Sequence, residues 1–125
     1  MATFGYVLLS SNRDSGCQQV RDIGKADRWF LEKSSYRSVN VFKRPMFQDA
    51  FIDIRRGDTF VVCAVDLLSG DSRELLQALL SLKKKGVTVV VARSPFTLTS
   101  TYGKEFMATL RALVKMQIGF QSFRW

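Results

Sequence analysis

Residues 44–68 read RPMFQDAFIDIRRGDTFVVCAVDLL, and this stretch decides the fold. Pro45 suits the first turn of a helix, where its fixed φ helps and its missing N–H costs nothing. Met46, Phe47, Ala50, Phe51 and Ile54 follow at helical spacing. Gly57 is expected to end this helix, with Arg55 and Arg56 in the last turn, where cations complement the dipole. Residues 59–65 (TFVVCAV) are rich in β-branched side chains and almost wholly apolar, as in a strand buried on both faces. A helix running directly into such a strand points to a parallel sheet.

The flanks repeat the alternation. Residues 4–9 (FGYVLL) have the length and composition of a strand, and a polar loop, residues 10–16 (SSNRDSG), follows. Residues 17–26 have weak helical spacing, through Cys17, Val20 and Ile23. Trp29, Phe30 and Leu31 read as a second strand, and residues 33–43 as a basic loop. After residue 68, Ser69, Asp71 and Ser72 offer capping groups. Leu75, Leu76, Leu79, Leu80 and Leu82 then form the apolar face of a helix ending in Lys83-Lys84-Lys85-Gly86. Residues 87–92 (VTVVVA) read as another buried strand, residues 94–101 as a loop, and residues 102–117 as a final helix. The expected fold is a single α/β domain over residues 1–125: three layers, a mainly parallel sheet and helices on both faces. Functional groups in such sheets collect at the carboxyl ends of the strands, and Ser10 and Asp66 both fall just past strand ends.

Composition narrows the chemistry. The chain has 125 residues, of which 46% are hydrophobic, enough for one core. It has no histidine, so Ser-His-Asp catalysis and most zinc chemistry are excluded. Its two cysteines, Cys17 and Cys63, read as reduced thiols rather than a disulfide framework or metal site. No cofactor and no metal are expected. No apolar run reaches the ~20 residues of a membrane span, and the first residues lack a signal-peptide pattern. A cytoplasmic protein is expected. Nineteen Lys and Arg against eleven Asp and Glu give a net charge of +8, which favours a polyanionic partner, above all DNA.

Several short motifs then line up in order. Tyr6-Val7-Leu8-Leu9-Ser10 ends the first strand. Arg44-Pro45-Met46-Phe47 opens the central helix, and Arg56-Gly57-Asp58 precedes the apolar strand. Asp66-Leu67-Leu68-Ser69-Gly70-Asp71 follows that strand, Lys85-Gly86-Val87 joins the next helix to its strand, and Thr101 and Gly103 open the last helix. In this order and spacing the chain resembles the catalytic domain of the resolvase/invertase family of serine recombinases, over nearly its whole length.

The resemblance implies a chemistry. In the family a serine hydroxyl attacks a DNA phosphodiester and forms a phosphoserine link without a metal. Arginines activate that serine and neutralise the charge developing on the phosphate. The serine falls at Ser10, and Arg44 and Asp66 match two further site positions. Leu8, Leu67 and Gly70 stand where the family's motif has arginines, and Gln117 and Ile118 stand where it has a Glu-Arg pair. The phosphate-handling cluster is therefore expected to be largely lost.

The same residues also have plainer readings. Ser10 can simply end a strand, Asp66 can cap the following turn, and Arg44 can bind phosphate or face water at the start of its helix. The Lys83-Lys84-Lys85 run fits favourable dipole placement. Arg13, Arg37 and Arg73 lie in or near the site loops, where they could supply displaced guanidinium groups. With Lys43 and Arg44 they are the candidate phosphate contacts, Tyr36 and Phe42 being interleaved in the basic loop. In the family the last helix packs against a partner subunit and leads to a helix-turn-helix domain, which is not expected within these residues. Phe106, Leu110, Leu113, Phe120, Phe123 and Trp125 are accordingly the interface candidates.

Three functions are compatible with these features. One is a DNA-associated protein without independent cleavage, acting by self-association, by pairing with a related recombinase or by binding DNA. The second is an active recombinase domain using Ser10 with displaced arginines. The third is a protein-interaction module that does not touch DNA.

Overall fold

In the computed structural model, residues 1–9, 13–33, 39–69, 71–92, 96–97 and 101–122 are described. Five strands are seen: β1 (Thr3–Leu8), β2 (Arg28–Glu32), β3 (Thr59–Val62), β4 (Thr88–Val91) and β5 (Phe96–Thr97). The helices are α1 (Arg13–Ile23), α2 (Pro45–Asp53), α3 (Ser72–Lys84) and α4 (Thr101–Ser122), with 3-10 turns at Val41–Lys43 and Val65–Leu67. The strands form one sheet in the order β2-β1-β3-β4-β5. The first four are parallel, and β5 runs antiparallel to β4.

The alternation of side chains explains the layers. Phe4, Tyr6 and Leu8 of β1 share a face with Phe60 and Val62 of β3, as the register Phe4↔Phe60 and Tyr6↔Val62 requires. That face meets Phe47 and Ala50 of α2 and Leu75, Ala78, Leu79 and Leu82 of α3 in one buried cluster. Val7 and Val61 are buried on the other face, where α1 packs against β1. Gly5 is needed on that face: a Cβ there would stand 2.8 Å from the Trp29 ring. The α/β architecture expected from the sequence, with a mainly parallel sheet and helices on both faces, is the one observed.

Several boundaries differ, each for a visible reason. Helix α1 begins at Arg13, four residues earlier than its apolar spacing indicates, and Gly24 ends it at φ 84°. Strand β3 stops at Val62 because the chain turns into the 3-10 segment Val65–Leu67. Helix α4 runs to Ser122, and the expected loop before it contains β5.

Helix α2 ends at Asp53, so Arg55 and Arg56 lie beyond it and its last turn holds no basic residue. The cation comes from elsewhere. The Lys85 ammonium donates to the carbonyls of Phe51 and Ile54, the latter at 3.1 Å, and lies 4.4 Å from the centre of the Phe51 ring. Lys83 and Lys84 remain in the last turn of α3, as dipole placement requires, whereas Lys85 caps α2. Gly57, at φ 91°, shapes the turn into β3 instead of ending the helix.

Asp58 ties the start of the chain to this turn. Its carboxylate accepts from the N–H groups of Ala2 and Arg55, both at 3.0 Å. Those two bonds hold its pKa below the ordinary 3.8. A lowered carboxyl pKa stabilises the fold above the unfolded value and loses that contribution as pH falls through the folded value. Asp58→Asn should therefore lose less stability than the parent chain between about pH 5 and about pH 2 in acid titration followed by circular dichroism.

Candidate functional site

The strand order changes direction between β1 and β3: β2 lies outside β1, and β4 outside β3. Loops from the carboxyl ends of these two strands diverge there, and open α/β sheets place ligands in that crevice. What the described residues put there is a buried polar network. Among them, only Gln19, Glu32, Arg44 and Ser69 are buried polar or charged side chains.

Arg44 is the centre of that network. It is the N-cap residue of α2, at 1% exposure, and Pro45 directs the helix away from it. Its Nε donates to the Val39 carbonyl at 3.0 Å and its Nη1 to the Leu67 carbonyl at 2.8 Å. Nη1 also lies 3.4 Å from the Tyr6 hydroxyl. That hydroxyl donates to Glu32 Oε1 at 3.2 Å. The Glu32 carboxylate, itself 1% exposed, accepts the N–H groups of Met46 at 3.3 Å and Phe47 at 3.2 Å. A glutamate ending β2 thus caps the N-terminus of α2, where the helix dipole favours negative charge. A buried cation and a buried anion balance through one phenol.

Tyr6 is held neutral by this setting. Burial raises its pKa well above the ordinary 10.0, and Glu32 adds to the rise, while Arg44 opposes it. The phenol therefore remains a donor to Glu32 and an acceptor from Arg44. Gln19 of α1 supplies the second closure. Its Nε2 donates to the Leu8 carbonyl at 2.8 Å and its Oε1 accepts from the Leu8 N–H at 3.2 Å. This satisfies β1 where it outruns β3.

The guanidinium of Arg44 is thus turned inward onto the Val39 and Leu67 carbonyls rather than toward water. Leu8 is 1% exposed and Leu67 8% exposed, both within the core cluster. Asp66 lies in the 3-10 turn, but its side chain is outside the described set, as are Ser10 and Arg37. Arg13 opens α1, and only its backbone is described. Lys43 is exposed at the end of the Val41–Lys43 turn, and Arg73 is half-buried in the first turn of α3. Of the adjacent pair, Arg44 is buried and Lys43 exposed.

The interface candidates on α4 also divide. Leu110 is 5% exposed and sits with Met107 in the core, so it is removed from the surface; Phe106 is partly buried against the same cluster. Leu113 and Met116 are exposed, at 46% and 57%. Phe120 lies in α4 with its side chain undescribed, and Phe123 and Trp125 are outside the described residues. Sequence reading missed Glu32, Tyr6 and Gln19 as parts of the network. The available signal was a glutamate closing the apolar run Trp29-Phe30-Leu31.

The sheet order and its switch point define an α/β domain of the kind that collects functional groups at the carboxyl ends of its strands. Residues 5–121 match the family model described as Resolvase, N terminal domain, so the chain belongs to that family. Among solved structures it is similar to the N-terminal catalytic domain of TP901-1 integrase, with TM-score 0.75 and 18% identity over 94% of this chain and 97% of that one. It is also similar to a resolvase family site-specific recombinase from Streptococcus pneumoniae, with TM-score 0.69 and 11% identity, covering 96% and 91%. A curated relative, the integrase-like protein y4lS of Sinorhizobium fredii (strain NBRC 101917 / NGR234), is 24% identical over 110 residues, 88% of this chain. The chain spans 60% of that relative's length. Among the described residues, no helix is long and apolar enough to cross a membrane, and no His, Cys, Asp and Glu cluster is arranged to hold a metal.

Proposed function

We propose that this chain is a DNA-associated member of the serine recombinase family that does not cleave or exchange strands by itself. It acts by binding DNA together with self-association or pairing with an active relative. One observation supports the reading: two positions that the family resemblance assigns to phosphate handling, 8 and 67, carry core leucines. Leu8 and Leu67 are buried where the family resemblance implies arginines, and the remaining Arg44 donates to protein carbonyls. Removing one preorganised donor from a site of this kind costs about 2.7–4 kcal/mol, or about 10²–10³ in rate. Losing three leaves little activity even when the effects are not additive.

The DNA part of the reading rests on charge. A domain at +8 with Lys43 exposed beside the switch point suits phosphate-backbone contacts, which set register without reading sequence. Fluorescence anisotropy with a labelled duplex should show affinity falling at least about 10-fold between roughly 50 and 200 mM salt. Lys43→Glu should weaken binding to all sequences alike. Absence of binding at low salt would instead favour the protein-interaction module.

A further inference from the structure

The outer edge of β2 bears a self-complementary segment. β2 pairs only with β1 among the described strands. In a parallel ladder, alternate residues direct their main-chain groups to opposite sides. The Leu9 N–H donates to the Glu32 carbonyl at 2.8 Å, so Glu32, Phe30 and Arg28 turn their main-chain groups toward β1. Trp29 and Leu31 turn theirs outward, where no described strand meets them. The edge is also accessible. Leu31 is 47% exposed, and a cleft of mixed character, about 280 Å³, runs beside the strand, lined by Trp29, Phe30, Ile52 (74% exposed) and the Arg28–Asp53 ion pair among others.

Residues 27–33 read DRWFLEK. Laid antiparallel against itself about Phe30, this segment sets Asp27 opposite Lys33, Arg28 opposite Glu32 and Trp29 opposite Leu31. The register also fits the backbone. The outward groups of Trp29 meet those of the partner's Leu31 as a narrow hydrogen-bonded pair, and the two-fold axis repeats that pair. On the face covered by α1, Trp29 and Leu31 make apolar cross-strand contacts, flanked by the exposed charges of Asp27 and Lys33. Glu32 is already committed inside the domain, and Asp27 Oδ2 accepts the Thr3 N–H at 2.7 Å, so the charge complementarity rests on Lys33 reaching the exposed carboxylate of the partner's Asp27. Unprotected edges of this kind invite strand addition.

We propose that β2 is an interface between two copies of this chain, joined edge to edge in antiparallel register about Phe30 into one continuous sheet. The interface is separate from α4, and it goes beyond the reading above by naming a second self-association surface that needs no DNA.

Amide hydrogen exchange of the full chain, at low and high protein concentration and without DNA, tests it. The amides of Trp29 and Leu31 should gain at least about 10-fold protection as concentration rises, while Phe30 stays protected throughout. Leu31→Lys should abolish that gain, whereas Leu113→Lys on α4 should leave it unchanged. Lys33→Asp should weaken the association about 5-fold or more. Exchange at Trp29 and Leu31 that does not depend on concentration, whether fast or slow, overturns the proposal. So does a gain that Leu113→Lys removes and Leu31→Lys does not.

Discussion

Arg44→Met should lower the stability of the fold by about 3 kcal/mol or more while leaving low-salt DNA affinity nearly unchanged. The size follows from what the side chain holds. Its guanidinium serves the carbonyls of Val39 and Leu67, at 3.0 and 2.8 Å, and touches the Tyr6 hydroxyl. Methionine matches the length but donates nothing, so buried acceptors are orphaned at roughly 1–3 kcal/mol each. The interior also retains the Glu32 carboxylate without its balancing cation. Urea unfolding should show a lower midpoint with an unchanged slope. A variant that stays stable but loses DNA affinity would return Arg44 to a phosphate-binding role.

Glu32→Ala should cost roughly 3 kcal/mol, by a different route. Its carboxylate accepts three donors: the Tyr6 hydroxyl and the N–H groups of Met46 and Phe47. Pro45 has no N–H, so these are the first two donors of α2, and they lose their acceptor together. Glu32→Gln keeps an acceptor oxygen and should lose about half as much. Thermal unfolding of the two variants beside the parent chain gives the comparison. Equal losses would mean that charge, rather than capping, sets the contribution of Glu32.

The two variants bear on what the sequence made readable. Apolar runs at strand length and the Arg-Pro start of α2 carry the architecture, because parallel strands buried on both faces leave a continuous hydrophobic signature. Boundaries were less legible where a distant residue decides them. The end of α2 depends on Lys85, more than thirty residues later, and nothing in residues 50–57 announces that ammonium. The site was readable in one respect and hidden in another. Leu8 and Leu67 could be seen to lack guanidinium groups. That Arg44 turns inward could not be seen, because an arginine before a proline suits a solvent-facing and a buried cap equally. Its direction is set by the Val39 and Leu67 carbonyls and the Tyr6 hydroxyl, which come together only in the folded domain.

The helix α4 shows the same limit. Leu110 and Leu113 are one helical turn apart and equally apolar, yet the first is 5% exposed and the second 46%. Helical periodicity marks the face. The packing of α4 against α3 decides which residues on it remain outside.

Loss of independent cleavage is tested most directly by trapping a covalent protein–DNA adduct. The chain is incubated with supercoiled plasmid and with suicide duplexes of varied sequence, beside an active serine recombinase domain as positive control. The products are then separated under denaturing conditions. The expected result is no adduct and no nicking by the parent chain, with the same outcome for Ser10→Ala. A clear phosphoserine adduct formed by the parent chain and lost in Ser10→Ala would contradict it, and would mean that displaced arginines serve Ser10 after all.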